Sequence, residues 1–432
     1  MKTLRLLLNL DFLKQWKPLR RTLFFSIVII SAIYCFMMWT FSSRVPWNYV
    51  TIVISIAIVL LVIIYNSFFT HIKCSYFVIL IVSLIITALV SYVFNIRDSS
   101  FPKSLLLVYL LALFIYQFVS NDEFHLKWFI YSVFIGTLIF AIYYVIYYFP
   151  NLINFQSFTR LGNKFDNQNS VAMSFVILGL FSFYMVISKR VWHFIPLPFL
   201  MLYLCLSTGS ISNTLCFMIS IFIMSIIYSN KKGKIIAIGA TIVSILLIIF
   251  LLQLPFASYF KNRIDNMINT FFGTGGSIDY SSAFRFDYAV TGFKLFLDKP
   301  LFGNGYGSVS LFTYGKGTFS HNNIAELLSN FGIVGFAIFE ALLIVPFLKS
   351  NTSRKRMGLI SVMLFIFIFQ LFLVIFYLKI VAYLIPLFWG LSKHNPLFCV
   401  SFQKEERKIK ITIKKTRHTV LKSKERYYCI NI

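Results

Sequence analysis

Apolar runs of about 20 residues recur along the whole chain, with short polar segments between them. A helix of this length crosses the hydrocarbon layer of a bilayer, which is about 30 Å thick. Composition agrees, because 59% of the residues are hydrophobic and 12% are charged, whereas soluble domains are about a quarter charged. The sequence therefore excludes a soluble globular fold and predicts an all-α, polytopic transmembrane helical bundle.

Hydropathy in windows of about 19 residues predicts about 12 spans. Their approximate ranges are 22–41, 48–68, 75–94, 105–119, 126–149, 170–188, 194–207, 211–229, 235–254, 324–348, 357–377 and 380–397. With the N-terminus placed in the cytoplasm, most of the 40 Lys and Arg residues fall in cytoplasmic segments, as the positive-inside rule requires. We therefore expect both termini to be cytoplasmic.

The net charge of +26 argues for contact with lipid and against contact with nucleic acid. The basic residues lie mostly between apolar runs and in the segment 401–432, where they set topology and touch anionic headgroups of the lipid bilayer. The six cysteines form no CxxC pair and lie mostly in or beside apolar runs. We predict no disulfide framework, no metal site and no cofactor.

Two predicted outer loops are long enough to carry function, at 150–169 and at 255–323. Within the second, residues 282–298 repeat apolar side chains at a helical period, namely Phe286, Ala289, Val290, Phe293, Phe296 and Leu297. This pattern predicts an amphipathic helix that either lies at the outer membrane surface or packs on the bundle.

His321 is the one histidine that the predicted topology places on the outer side. Ser320 is a plausible helix cap, which would put His321 in the first turn of the tenth span. A helix N-terminus disfavours imidazolium, and a neutral imidazole beside a substrate hydroxyl is a usable general base. The alternative is an interfacial histidine that hydrogen-bonds a loop carbonyl.

Arg160 and Arg285 are outer arginines close to the predicted bilayer. A guanidinium is always charged and forks onto phosphate oxygens, so it suits a diphosphate leaving group. The alternative is ordinary contact with lipid headgroups. Spacing alone leaves both interpretations open.

Four further residues are candidates for substrate binding. Asn169 and Asn322 are placed to bind sugar hydroxyls or to cap helices. Gly303 and Gly305 belong to a Gly-x-Gly-x-Gly run, but no strand precedes it, so a dinucleotide site is excluded. These glycines are better explained as a tight turn that returns the chain to the membrane.

Three local motifs and the order of elements resemble the bacterial O-antigen ligase and polymerase superfamily. The motifs are Arg160-Leu161-Gly162 with Asn169, Arg285 ahead of Asp298-x-Pro300-Leu301-Phe302-Gly303-x-Gly305, and His321-Asn322-x-x-x-Glu326 with Gly332-x-x-Gly335. The resemblance runs from about residue 158 to 348. We therefore divide the chain into N-terminal helices (1–150), a catalytic region (151–348, with the outer loop 255–323), C-terminal helices (349–400) and a basic tail (401–432).

The resemblance implies a metal-independent, inverting glycosyltransferase of the bacterial cytoplasmic membrane. Its substrate would be an undecaprenyl-diphosphate-linked oligosaccharide, with a chain-length regulator as a further partner. His321 would take a proton from the acceptor hydroxyl, while Arg160 and Arg285 would stabilise the leaving diphosphate. Many members carry an arginine within the segment that here reads Ser207-Thr208-Gly209-Ser210, so a ligand contact of those relatives is missing or replaced.

Three activities remain open on the sequence. A repeat-unit polymerase for capsule or exopolysaccharide is favoured, because richness in Ile, Phe, Lys and Asn indicates an AT-rich genome of the kind that many Gram-positive bacteria have. A ligase would pass the glycan to another envelope acceptor. A flippase or transporter is supported by Glu340, a carboxylate within a span, but such proteins usually carry more charges inside the membrane.

Overall fold

The computed structural model describes residues 17–41, 47–70, 75–95, 99, 101–153, 161–162, 164–165, 167–189, 192–228, 258–272, 280–313, 319–349, 366, 369–371 and 373–394. Within these ranges the secondary structure is helical and contains no strand, as predicted. Arg160, the predicted ninth span, most of the predicted eleventh span and the basic tail lie outside the described residues.

The helices follow the predicted apolar runs closely. In chain order they are α1 (Lys17–Phe41), α2 (Trp47–Phe69), α3 (Tyr76–Phe94), α4 (Lys103–Val119), α5 (Glu123–Ile153), α6 (Gln168–Lys189), α7 (Pro196–Ser207), α8 (Ile211–Tyr228), α9 (Ser258–Phe272), α10 (Tyr280–Asp298), α11 (Ser308–Phe312), α12 (Asn323–Lys349) and α13 (Val381–Lys393). A single 3-10 turn, Trp192–Phe194, precedes α7.

Six of these helices are long and apolar enough to cross a membrane, namely α1, α2, α3, α5, α6 and α12. Four shorter apolar helices, α4, α7, α8 and α13, complete the bundle within the described residues. The prediction of a multi-pass helical membrane protein is therefore confirmed, while the count of about 12 spans stays a prediction. The end predicted for the eleventh span is wrong, because residues 373–380 form turns and α13 begins at Val381.

Helix contacts build one continuous apolar core. α1 packs against α2 and α5, α4 packs against α2 and α13, and α6 packs against α7 and α8. α12 packs against α3 and also carries α10. Small residues allow the closest approaches, since a Cβ at Gly136 of α5 would collide with the carbonyl oxygen of Ala32 in α1.

The chain order of the helices defines two ends of the bundle. The His125 end holds the start of α1, the end of α2, the start of α5 and the end of α13, where His394 lies 3.2 Å from the carbonyl oxygen of Ser120. The His321 end holds the start of α12 and the end of α3. The described chain therefore begins and ends at the same end of the bundle.

The predicted helix in the second long loop is α10, but its predicted apolar stripe does not face the bundle. α10 packs on α12 through Gly292, which lies against Ala325, and it buries Leu295. Phe286, Phe293 and Leu297 of the stripe remain exposed. The same loop contains two helices that the sequence analysis did not predict, α9 and α11.

Candidate active site

His321 lies just before α12 in a backbone conformation that side chains rarely adopt. Its φ is 56°, and among the described non-glycine residues it alone has a positive φ. Such a conformation persists when neighbouring bonds fix it on both sides. The imidazole is partly buried, and this burial lowers the pKa of His321 from 6.5 to about 4, with the nearby charge of Arg285 as the second cause. The ring is therefore neutral at pH 7.

Asn322 caps α12, so the predicted cap at Ser320 is wrong. The Asn322 side-chain oxygen accepts a hydrogen bond from the backbone N–H of Ala325 at 3.0 Å. Ser320 instead folds its hydroxyl back to donate to the Asn322 carbonyl at 2.7 Å. His321 consequently sits one residue outside the helix, at the bend between two fixed residues, and not in its first turn.

Glu326, in the first turn of α12, fixes the same bend. Its side chain is fully buried and accepts a hydrogen bond from the backbone N–H of Ser320 at 2.8 Å. Its other oxygen accepts a bond from Asn330 one turn later, at 3.3 Å. A buried carboxylate with these partners locks the residue before His321 onto the helix, which explains the His321-x₄-Glu326 spacing.

Asn323 joins the start of α12 to the segment that leads into α13. Its side-chain oxygen accepts bonds from the backbone N–H groups of Ile375 and Phe376, at 2.8 and 3.0 Å. Its amide nitrogen donates to Gln370 at 3.0 Å, and Gln370 also hydrogen-bonds Glu340. The intramembrane carboxylate is therefore part of this polar network, a role that its sequence position did not reveal.

Arg285 lies on α10, close enough for its charge to act on His321. The tight Gly292–Ala325 contact brings α10 against the first turn of α12, and the Arg285 charge acts on the His321 ring. The structure thus brings these two predicted residues together across 36 positions of sequence. Arg160, the third, lies outside the described residues; its neighbour Leu161 donates its N–H to the carbonyl of Ser207 at 3.1 Å.

Gly303 and Gly305 lie in a loop that fills a break in α12. At Gly332 the helix has φ 63° and ψ −166°, which leaves nearby backbone groups without helical partners. The N–H groups of Asn304 and Gly305 donate to the carbonyls of Ser329 and Asn330, at 2.7 and 3.0 Å. Both loop glycines have positive φ, and a Cβ on Gly303 would collide with the Asn330 backbone. Their visible contacts are with the protein, and substrate binding by either stays a prediction.

The loop also accepts hydrogen bonds from α12 and is tied to α3. The carbonyls of Pro300 and Leu301 accept from Ile333 and Val334, at 2.8 and 3.3 Å. Asn95 at the end of α3 bonds Lys299 and donates to the Gly303 carbonyl. The bonds from Ile333, Val334 and Asn95 to the loop carbonyls satisfy backbone groups that would otherwise be unpaired inside the bundle.

Asn169 lies in a second polar cluster at the ends of α6 and α7. Its buried side-chain oxygen accepts from the Ser210 hydroxyl at 2.9 Å, and its carbonyl accepts from Asn213 at 3.2 Å. Ser207 of the same turn bonds Tyr144 at 3.0 Å. The segment in which many relatives carry an arginine is thus occupied here by a hydroxyl and amide network. Sugar binding by Asn169 and Asn322 stays a prediction.

A cavity of about 590 Å³ opens at the His321 end between α1, α2, α4, α6 and the segment before α13. Two lysines line it, Lys103 at the start of α4 and Lys379 before α13. Tyr377 lines it as well, and its ring lies 4.7 Å from that of Phe319, two residues before His321. The sequence analysis missed this cavity because its wall comes from five separate parts of the chain.

Tyr306 connects the cavity wall to the bend below His321. It hydrogen-bonds Ser104, which lines the cavity. Burial raises the pKa of Tyr306 to about 12, with the charge of Glu326 as the second cause. The described residues contain no group of three or more His, Cys, Asp or Glu side chains that could hold a metal ion.

Residues 196–339, about a third of the chain, match the family model described as O-Antigen ligase. This range contains α10 with Arg285, the loop with Gly303 and Gly305, His321 and the break in α12; it excludes Asn169 and both cavity lysines. No curated protein matches the chain. Over residues 196–339 the chain is therefore similar to the O-antigen ligase family, which supports the resemblance to the O-antigen ligase and polymerase superfamily that its motifs indicated.

Proposed function

We propose that the protein is a membrane glycosyltransferase that polymerises undecaprenyl-diphosphate-linked oligosaccharide repeat units into a surface polysaccharide. The observation that carries this proposal is a neutral, partly buried His321 held beside Arg285, inside the segment that matches the O-antigen ligase family. In this proposal the His321 end of the bundle faces the outside of the cytoplasmic membrane, and the reaction needs no metal ion.

The reaction would be a single displacement at the anomeric carbon of the donor sugar. The acceptor hydroxyl oxygen forms the new bond to that carbon while the bond to the diphosphate oxygen breaks, so the configuration inverts. The hydroxyl proton moves to His321 as general base. The electron pair of the broken bond leaves on the diphosphate, whose charge Arg285 stabilises together with the predicted Arg160.

The low pKa of His321 explains how binding of the donor would prepare the base. In the free protein the ring is neutral but weakly basic, because burial and Arg285 both disfavour its charged form. A bound diphosphate would pair with Arg285 and place negative charge near the imidazole. Both changes raise the pKa of His321, so the ring accepts a proton most readily when the leaving group is in place.

The position of His321 outside α12 supports the same role. Its bend is fixed by Glu326 through Ser320 and by the Asn322 cap, so the backbone that carries the imidazole has one fixed position. A base held at one place lowers the entropic cost of meeting the acceptor hydroxyl. The interfacial alternative, a ring that merely bonds a loop carbonyl, does not account for the adjacent arginine.

The experiment that tests the function supplies the purified protein in a bilayer with undecaprenyl-diphosphate-linked repeat units and resolves the products on a gel. We expect a ladder of repeat lengths. No ladder, with transfer restored by another envelope acceptor, would indicate a ligase. Movement of the lipid-linked substrate across the bilayer with no new glycosidic bond would indicate a transporter, for which the network around Glu340 would then be examined.

A further inference from the structure

Among the described residues that line the cavity at the His321 end, two carry positive charge and none is acidic. Lys103 and Lys379 come from different parts of the chain and both line it. Lys379 is partly buried, and its ammonium group donates to Thr51 at 2.6 Å, which holds it at the wall. A concave site whose described lining holds two cations and no carboxylate attracts anions.

Most of the rest of the lining is apolar, and this limits the kind of anion. Met38, Leu107 and Met173 stand beside the two lysines. The volume of about 590 Å³ lies within the range of small-molecule sites, which is about 300–1,000 Å³. A phosphate group carried on a hydrocarbon chain satisfies both parts of such a wall, whereas a free phosphate ion would use only the lysines.

We propose that this cavity binds the diphosphate and first isoprenoid units of the lipid-linked acceptor, with Lys103 and Lys379 on the diphosphate. The inference rests on the proposed function. A polymerase joins two lipid-linked molecules, so two diphosphates must be held at once. The donor diphosphate leaves beside His321 and Arg285. It repels the acceptor diphosphate, so a separate set of cations is needed to hold the acceptor diphosphate nearby.

The location of the cavity fits the geometry of such an acceptor. The reacting hydroxyl lies at one end of the repeat unit and the diphosphate at the other, so the second cationic site must be near His321 but apart from it. The cavity meets this requirement, because Tyr377 belongs to its wall and contacts Phe319, whereas neither His321 nor Arg285 lines it. A ligase whose acceptor carries no diphosphate would not need these lysines.

The test is a competition between two acceptors in one reaction. Lipid-linked repeat units serve as donor and acceptor, and a fluorescently tagged oligosaccharide of the same sugars, without lipid or diphosphate, competes for transfer. The measured quantity is the ratio of tagged product to ladder. In the Lys103→Gln, Lys379→Gln double variant we expect this ratio to rise about tenfold over wild type, because charge-assisted bonds to the lipid-linked acceptor alone are lost.

Two variants serve as references. Lys294→Gln removes an exposed lysine of α10 that does not line the cavity, and its ratio should equal that of wild type. The single variant Lys103→Gln changes an exposed side chain at the start of α4, so it tests the idea without disturbing packing. We expect its ratio to rise by a smaller factor.

An unchanged ratio in the double variant and in Lys103→Gln would overturn the inference. So would equal loss of both products in folded Lys103→Gln, because that outcome would place the lysine in donor binding. Failure of the proposed function looks different, since wild type would then make neither ladder nor tagged product.

Discussion

The two ends of the bundle each hold a histidine beside an arginine, but the arrangements are opposite. At the His125 end the imidazole is buried and fully bonded, since Nδ1 lies 2.7 Å from Asp122 and Nε2 lies 2.7 Å from the Tyr65 hydroxyl. Arg20 donates to that hydroxyl at 3.3 Å and so lies at the far end of the chain of bonds. At the His321 end the Arg285 charge acts on the ring itself, and within the described part of the chain no carboxylate hydrogen-bonds the imidazole.

The difference distinguishes a structural histidine from the histidine that we propose to act as a base. Asp122 caps α5 by accepting a hydrogen bond from the N–H of His125 at 2.9 Å. Tyr65 and Arg20 link the same histidine to α2 and α1. Both ring nitrogens of His125 are therefore used within the protein, as in a structural network. Burial raises the pKa of Asp122, but the bonds from His125 outweigh it and lower that pKa to about 2. His321 has no such carboxylate partner among the described residues, and in the proposed function a substrate anion supplies negative charge beside the ring.

Replacing each of the two histidines by alanine, in separate variants, tests this difference and should give the largest effect on transfer activity. His321→Ala should lower transfer at least about a hundredfold, as loss of a general base does, and leave the protein in the membrane. His125→Ala should keep transfer per folded molecule but cost about 1–3 kcal/mol in the free energy of unfolding, because Asp122 and Tyr65 lose a buried partner. Gel ladders and thermal unfolding, measured on both variants, check this. Normal polymer from His321→Ala would refute the general-base role.

The two arginines give the next largest effect. Arg285→Gln should lower transfer about a hundredfold, as loss of a charge-stabilising donor does. It should also raise the pKa of His321, so the acid limb of kcat/KM should move upward from about pH 4 without reaching 6.5, because burial, the larger cause, remains. Arg20→Gln at the other end is the matched control and should leave the pH profile in place. A profile that Arg285→Gln does not move would contradict the electrostatic link.

Two glycines sharpen the comparison through stability. Gly303→Ala forces a side chain into a positive-φ position against the Asn330 backbone and should cost about 3 kcal/mol or more in the free energy of unfolding. Gly390→Ala at the His125 end meets the flexible tip of Leu126 and should cost about 1 kcal/mol. Thermal unfolding of the two variants in detergent compares them. Equal costs would mean that the loop in the break of α12 is not held as described.

The smallest effects are two separate pH windows of stability. His321 has a folded pKa of about 4 against 6.5, so the unfolded chain binds more protons between these values and stability falls as pH falls from 6.5 to 4. Asp122 has a folded pKa of about 2 against 3.8, so its contribution is lost as pH falls below about 4. His321→Gln should flatten the first window and Asp122→Asn the second. Slopes stay below about 1.4 kcal/mol per pH unit and are weaker at the half-exposed Asp122.

The sequence predicted what local patterns determine and missed what packing determines. The apolar runs placed helices such as α8 within a residue or two, and the motif residues His321 and Arg285 do meet. The cap moved from Ser320 to Asn322, because hydroxyl and amide caps are equally good locally and only the path of the loop decides. For α10 the pattern predicted the helix and left two placements open, because Gly292 and Leu295, on the side that packs, carry a weaker signal than the exposed phenylalanines.

The break in α12 has a consequence for how the protein is made. A helix that enters lipid with unpaired carbonyls at Ser329 and Asn330 carries a penalty of several kcal/mol for each. Asn304 and Gly305, in the segment from Lys299 to Gly305, pair with these carbonyls. This segment is translated before α12 and must lie at the membrane surface when α12 inserts. We therefore expect insertion of α12 and packing of this segment to form one step of biogenesis, which also completes the bend that holds His321.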